Sequence, residues 1–429
     1  MGAQGPTHRA RRRRNAVAVG RTSPSVDPGR LWSSLAAMAG IGGTPGGGVR
    51  RLALSDDDRA ARDRLAEWLT AAGLDVRVDD LGNMYARRAG TDAAAAPVVF
   101  GSHLDTVPTG GRFDGALGVL AALEVVRALD GAGVRTRAPL EVVNWTNEEG
   151  ARFAPAMLAS GVVAGRFTRD EAYAARDADD RTFGGELARI GYQGDAAHRL
   201  RECAAYLELH VEQGPELERA RAQIGIVEGI EGISWNRIEI TGRAAHAGPT
   251  PMPARRDALV AAARLILLLR DTADRLGVRA TVGRLDVSPN TINVVPGRVE
   301  MTLDVRASRD DRLDAALREA DRACGRVADL DQVEVRRAEF WRSPVTPFAE
   351  RIVTTVAGAA TRRGYSARRL WAGAGHDAKY MADRFPAGMI FVPSKDGVSH
   401  NEAEWTPPED CARGATVLLD AVLALAGTA

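Results

Sequence analysis

The chain has 429 residues, 45% hydrophobic and 26% charged, with a formal net charge of +1. That length exceeds one ordinary core, so two domains are expected, in a chain of globular composition. Basic and acidic residues are interleaved, which argues against a nucleic-acid partner. The three cysteines, Cys203, Cys324 and Cys411, are far apart and form no CxxC, so neither a disulfide framework nor a cysteine metal site is indicated. No apolar run is long enough to span a bilayer, and a membrane partner is not expected. At the N-terminus, Arg9 and Arg11 to Arg14 precede Ala16-Val17-Ala18-Val19, a run too short for a signal-peptide core. Residues 1–30 read as a disordered basic tail or the product of a misplaced start codon, and a cytoplasmic location is expected.

Order is expected from about Leu31. Ser55 followed by three aspartates predicts an N-cap and an acidic first turn before a helix over 59–72, ended by Gly73. Strands are predicted at 76–78 and 98–100. A glycine-rich loop, a helix over 116–129 and a strand at 140–145 follow. This alternation predicts an α/β sheet. From Arg219 the texture changes, with alternating strands at 233–241 and 299–305 and helices over 257–276 and 311–327. Two strand–helix units suggest a separate α+β domain with one sheet face exposed. After Phe340 the α/β texture returns, with a helix over 347–361, a strand at 388–392 and a helix over 410–426. The simplest arrangement is a domain of residues 31–218 and 338–429 interrupted by residues 219–337. Gly46 to Gly48 is no phosphate loop, because no GKS or GKT follows.

The segment GSHLDTVPTGGRFDG, Gly101 to Gly115, carries the strongest chemical signal. It leaves the C-terminal end of an apolar strand, where open α/β sheets bind ligands. His103 and Asp114 offer nitrogen and oxygen donors suited to a divalent ion, and Asp105 is placed to hold His103 in one tautomer. Of seven histidines, five sit in loop or strand-end segments rich in Gly, Asp, Glu or Asn. Any one alone reads as structural or exposed; together they favour a site. Glu148 and Glu149 follow another apolar strand. In a loop, one can ligate a metal while the other acts as general base on water. His210, in ELHVEQGPELE, and His400, in PSKDGVSHNEAEW, also occupy strand ends. One pairing places His103 and His210 on one ion and Glu149 and His400 on a second, with Asp114 between them. The donors fit Zn²⁺, Mn²⁺, Co²⁺ or Ni²⁺ without choosing among them. His246 lies in a glycine-proline loop. Arg306 and Asn293 are candidates to hold a carboxylate, although alone they read as a surface ion-pair residue and a turn residue.

These motifs, with GGTPGGGVRRLALS, TNEEGARFAPAMLAS, GRAAHAGPTPMPARRDA, NTINVVPG and AGAGHDA, give the chain a clear likeness. From about Leu31 onward it resembles the hydantoinase/carbamoylase branch of the M20-type dinuclear metallohydrolases. That branch includes N-carbamoyl-L-amino acid hydrolases, allantoate and ureidoglycolate amidohydrolases and β-ureidopropionases. Peptidase-like relatives usually carry an acidic residue where His210 stands.

The resemblance implies a metallopeptidase-like catalytic domain with a mixed sheet flanked by helices, interrupted by an inserted α+β, ferredoxin-like lid that also makes a homodimer. It implies His103, Asp114, Glu149, His210 and His400 as ligands of two divalent ions, with Asp114 bridging. Glu148 is implied as general base, Asp105 as the residue orienting His103, and Gln213, His246, Asn293, Arg306 and His376 as substrate contacts. His246 would also stabilise an oxyanion, and His246 and Asn293 would reach the partner subunit's site. Ala159, Pro249 and Glu402 depart from residues usual in the family, Gly, Thr and Pro, and none is an implied ligand.

The expected activity is metal-dependent hydrolysis of a linear, non-peptide C–N bond in a small carboxylate-bearing ureido or amide substrate. An N-carbamoyl-L-amino acid giving L-amino acid, CO₂ and ammonia is the first expectation. Allantoate or ureidoglycolate comes next, then an N-acyl-amino acid. The non-enzyme alternative is a silent metal-binding paralogue, which would be expected to lack a ligand or the base.

Overall fold

The computed structural model describes residues 1–2 and 23–428. The expected basic tail therefore lies mostly outside the described residues, including Arg9 and Arg11 to Arg14. Its last residues depart from expectation. Helix Pro28–Ala39 starts on Asp27, whose side chain accepts from the Arg30 N–H, so order begins before Leu31.

In chain order the strands are β1 (Asp75–Val78), β2 (Met84–Arg88), β3 (Val98–His103), β4 (Leu140–Trp145), β5 (Ala205–Val211), β6 (Ile224–Ile230), β7 (Gly232–Thr241) and β8 (Ala245–His246). They continue as β9 (Arg279–Thr281), β10 (Leu285–Ser288), β11 (Val294–Val295), β12 (Arg298–Ala307), β13 (Glu334–Ser343), β14 (Thr346–Pro347), β15 (Ala367–Ala372) and β16 (Ala387–Val392).

The larger sheet has nine strands, ordered β1-β2-β4-β3-β5-β16-β6-β14, with β15 also on β6. Its centre is parallel: β4, β3, β5 and β16 point the same way. Strands of this kind are covered on both faces and read as continuous apolar runs. All residues of β3, β4, β5 and β16 are buried. Helices Ala116–Gly131, Pro408–Ala426 and Glu350–Arg362 pack against this sheet, helix Pro28–Ala39 packs on the first two of them, and helix Asp377–Arg384 packs on β16 and on Leu158–Ala164. Helix Ala116–Gly131 is apolar almost all round and correspondingly buried.

The smaller sheet is antiparallel, ordered β10-β12-β7-β13, with β9 also on β12. Helix Ala258–Leu276 follows β7 and helix Asp310–Asp331 follows β12, which is the split β-α-β order of a ferredoxin-like unit. One face is covered. Val299, Met301, Leu303 and Val305 of β12 alternate inward and share a core with Ala261, Leu265, Leu269, Leu313, Leu317 and Ala320. Full burial of each such leucine stabilises by about 1.5–3 kcal/mol.

The change of sheet falls later than the sequence texture indicates at both ends. β6 pairs in the large sheet, so the chain crosses at Glu231–Gly232 rather than at Arg219. It returns after β13, which pairs with β7 through Ser343, rather than at residue 337. The apolar β6 belongs with the buried strands, whereas the charged β13 is a solvated edge. Among the described residues no helix is long and apolar enough to cross a membrane.

Candidate metal centre

The ends of four parallel strands converge on one set of polar side chains. His103 closes β3, Glu148 and Glu149 follow β4, His210 lies near the end of β5, and His400 follows β16. Asp114 comes from the loop between β3 and the helix Ala116–Gly131. A Cβ at Gly115 would collide with the His103 ring, and Gly115 has φ +63°, so this close turn requires glycine.

Two of the buried histidines, His103 and His210, are held with Nε2 facing carboxylates. His103 Nδ1 lies 2.9 Å from the Asp105 carbonyl oxygen, and His210 Nδ1 lies 2.9 Å from that of Val211. A carbonyl only accepts, so each Nδ1 carries the proton and Nε2 is left as a donor atom for a cation. His103 Nε2 is 3.6 Å from Asp114 Oδ1 and 3.6 Å from Glu148 Oε2. His210 Nε2 is 3.1 Å from the same Asp114 oxygen. His400 Nε2 is 3.5 Å from Asp114 Oδ2 and 3.3 Å from Glu149 Oε2. Two groups of ligating atoms, His103–Asp114–His210 and Asp114–Glu149–His400, thus share Asp114.

The Asp105 carboxylate does something other than the sequence implied. It lies 3.9 Å from His103 Nδ1, and the backbone carbonyl of Asp105 holds the ring instead. The carboxylate accepts the Glu148 N–H on Oδ1 and the Glu149 N–H on Oδ2, each at 3.2 Å. It therefore fixes the backbone from which the two glutamates diverge, Glu148 toward His103 and Glu149 toward His400.

The charge balance calls for a cation. Asp105, Asp114, Glu148 and Glu404 are all buried. Among the described residues the ion-pair partners of Asp105, Asp114, Glu148 and Glu149 are histidines alone. Burial, with Asp377, Glu149, Asp105 and Asp114 nearby, pushes the Glu148 carboxyl well above its usual range. Burial, Asp114 and Asp105 do the same for Glu149. Burial also acts on Asp114, but His210, His103 and His400 outweigh it and hold Asp114 low. Burial pushes His103 down to about 4, which keeps it neutral. Burial opposes protonation of His210 too, yet its bond to Asp114 wins and raises it to about 9. A divalent ion would take the place of that proton. Glu149 Oε1 is a buried oxygen with no partner, as expected of a ligand atom. The residues therefore fit one or two divalent ions held by nitrogen and oxygen.

A third group, Glu208–His210–His376, fits less well. Glu208 Oε1 accepts from Ser102 Oγ at 2.8 Å, and Oε2 accepts from the Tyr206 hydroxyl and the Ala378 N–H, each at 3.0 Å. Three of its four lone-pair sites are already committed. His376 is buried with its ring centroid 4.5 Å from that of His210, and its Nε2 has no partner.

The other sequence candidates divide. The Gln213 side chain donates to Asp114 Oδ2 at 2.9 Å and lines a cleft of about 690 Å³, together with Arg306, Trp371 and Phe391. Arg306 donates to Asp304 at 2.8 Å and to the Gly373 carbonyl at 2.6 Å, spanning from the small sheet to the large one. His246 and Asn293 are not brought to the cluster. Both are exposed on the β8–β11 ribbon, where the Ala247 N–H donates to the Asn293 carbonyl at 2.9 Å. Sequence reasoning missed Glu404 and Ser399, which touch Asp114 or its backbone. Their signal was available: both flank His400 inside the motif already singled out.

Residues 99–424 match the profile of peptidase family M20/M25/M40. The chain is 46% identical to an N-carbamoyl-L-amino-acid amidohydrolase of Rhizobium meliloti over 93% of this chain and 96% of that one. It is 41% identical to an N-carbamoyl-L-amino acid amidohydrolase of Geobacillus stearothermophilus over 92% of this chain and 98% of that one. Its fold is similar to the crystal structure of a hydantoinase/carbamoylase family amidase from Burkholderia ambifaria. The TM-score is 0.92 and the identity 50%, over 95% of this chain and 99% of that chain.

Proposed function

Because the chain belongs to peptidase family M20/M25/M40, we propose that it is a metal-dependent amidohydrolase converting an N-carbamoyl-L-amino acid to the L-amino acid, CO₂ and ammonia. The observation that carries this reading is the pair of ligand groups sharing Asp114, with Glu148 beside them. His103, His210 and Asp114 would hold one divalent ion, and Asp114, Glu149 and His400 a second. When bound, such ions supply Lewis-acid polarisation of the carbamoyl carbonyl and acidify water. Glu148, left out of both groups, accepts the proton of the attacking water and returns it to the leaving nitrogen. Asp105 keeps Glu148 and Glu149 apart. Arg306 grips the substrate carboxylate in the cleft beside Gln213, with Asn293 as a second donor. His246 stabilises the developing oxyanion, and His376, whose buried Nε2 has no partner within the chain, is a further substrate contact.

Residues from about 31 to 230 and from 344 onward would form the catalytic domain, and the small-sheet region between them a lid and homodimer interface. His246 and Asn293 would act at the partner subunit's centre. The test is ammonia and amino-acid release from a panel of N-carbamoyl-L-amino acids, allantoate, ureidoglycolate and N-acyl-amino acids. Turnover of an N-carbamoyl compound is expected. Turnover of allantoate with none of the N-carbamoyl compounds would overturn the assignment.

A further inference from the structure

Glu404 has no part in either ligand group, yet it joins the two loops that carry their shared and outermost members. Its carboxylate is buried. Oε1 accepts the backbone N–H groups of Phe113 and Asp114, each at 3.1 Å. Oε2 accepts the Ser399 hydroxyl at 2.8 Å, and the same hydroxyl lies 3.4 Å from Asp114 Oδ2. The two loops are almost 300 residues apart in sequence, with separations of 291 and 290 for the two backbone bonds.

The surroundings are shaped to admit this group. A Cβ at Gly111 would overlap the Glu404 carboxylate, although Gly111 has no positive φ to demand glycine. On the other side, the Glu404 N–H closes a turn onto the Asn401 carbonyl at 3.0 Å, which fixes Glu404 relative to His400. The His400 side chain is half exposed, and among the described residues its ion-pair partners are Asp114 and Glu149 alone.

We propose that Glu404 is a positioning residue that fixes Asp114 between the two ligand groups and ties the His400 loop to it. This rests on the metal-dependent reading above. A carboxylate accepting two adjacent N–H groups sets the backbone direction of Asp114, while Ser399, which donates its one proton to that carboxylate, lies against the Asp114 side chain. Such outer partners of a ligand commonly govern affinity by 10–100-fold. The rival explanation is that Trp405 holds the loops by packing alone, since its ring lies 5.7 Å from Phe113 and 5.6 Å from Trp32. That packing is indifferent to the side chain at 404.

The experiment is cobalt titration of the metal-stripped full chain, read by d–d absorbance and by elemental analysis after dialysis. It compares the unaltered chain with Glu404→Ala, Glu404→Gln and Gly111→Ala. Glutamine keeps an oxygen for the two N–H groups, so Glu404→Gln should stay within about threefold of the unaltered chain. Glu404→Ala should weaken binding by about tenfold or more and change the cobalt spectrum. Gly111→Ala displaces the carboxylate without removing it and should weaken binding similarly, so it carries the test if Glu404→Ala does not fold. The proposal is overturned if Glu404→Ala or a folded Gly111→Ala titrates like the unaltered chain, or if Glu404→Gln is as impaired as Glu404→Ala. An unaltered chain that takes up no cobalt would overturn the metal reading along with it.

Discussion

Glu148 and Glu149 are adjacent, yet the chain gives them different work. Asp105 accepts both backbone N–H groups, and the side chains leave in different directions, one to His103 and the other to His400. Only Glu149 belongs to a ligand group, so Glu148 is free to move a proton. Replacing Glu148 with Gln keeps the side-chain volume and removes the base. Turnover should fall by about 10²–10⁴-fold, while metal content per chain stays as in the unaltered protein. Loss of the metal together with activity would instead make Glu148 a ligand. Arg306 belongs to a different class of residue. Its guanidinium is already held by Asp304 and the Gly373 carbonyl at the cleft wall. Arg306→Ala should mainly raise KM, with kcat much less affected, because it removes a binding contact rather than a group acting on the reacting atoms. Steady-state kinetics on the substrate found in the panel would separate the two parameters.

At the level of elements, helix Ala258–Leu276 shows which forces hold the small-sheet region. Asp257 caps it by accepting from the N–H groups of Leu259 and Val260, and Gly277 ends it in the left-handed conformation. Leu265 is fully buried against the sheet. Removing the cap with Asp257→Ala should cost about 1 kcal/mol, whereas Leu265→Ala should cost about 2–5 kcal/mol, because a cavity remains. Urea unfolding of the metal-free protein should rank them in that order. The reverse order would mean that the helix is held by its ends rather than by its face. The same distinction explains what the sequence revealed. The buried parallel strands and this helix announce themselves as apolar runs or periodic faces. β13 and β15 do not, because both are charged, exposed edges whose pairing partners alone make them strands. The histidines and acids at strand ends were legible for a related reason: an apolar strand followed by His or Glu marks the rim of an α/β sheet. The position of Glu404 beside His400 was on view in the motif, but its role was not, since its carboxylate acts through contacts to Phe113 and Asp114 that exist only after the loops meet.

Over the whole molecule, the proposed dimer gives the exposed ribbon of the small-sheet region a role. His246 and Asn293 sit on an exposed ribbon, and neither contacts the candidate metal centre of its own chain. The small-sheet region also exposes apolar side chains, including Val260 and Leu267 on one helix and Trp235, Phe340 and Trp341 across β7 and β13. The rings of Trp235 and Trp341 are 4.5 Å apart. A two-fold dimer built on this region would cover part of that surface and could carry each ribbon to the partner's centre. The consequence can be measured by mixing two dead variants. Glu148→Gln keeps His246 but loses the base, and His246→Ala keeps the base but loses the ribbon histidine. If each active site combines one chain's metal centre with the other chain's ribbon, a heterodimer regains one complete site. Random exchange at equal amounts makes half the dimers mixed, so activity should return to about one quarter of the unaltered value. If His246 serves its own chain, one centre of the mixed dimer lacks the base and the other lacks the histidine. Exchange would then restore nothing, and the shared-site arrangement would be wrong.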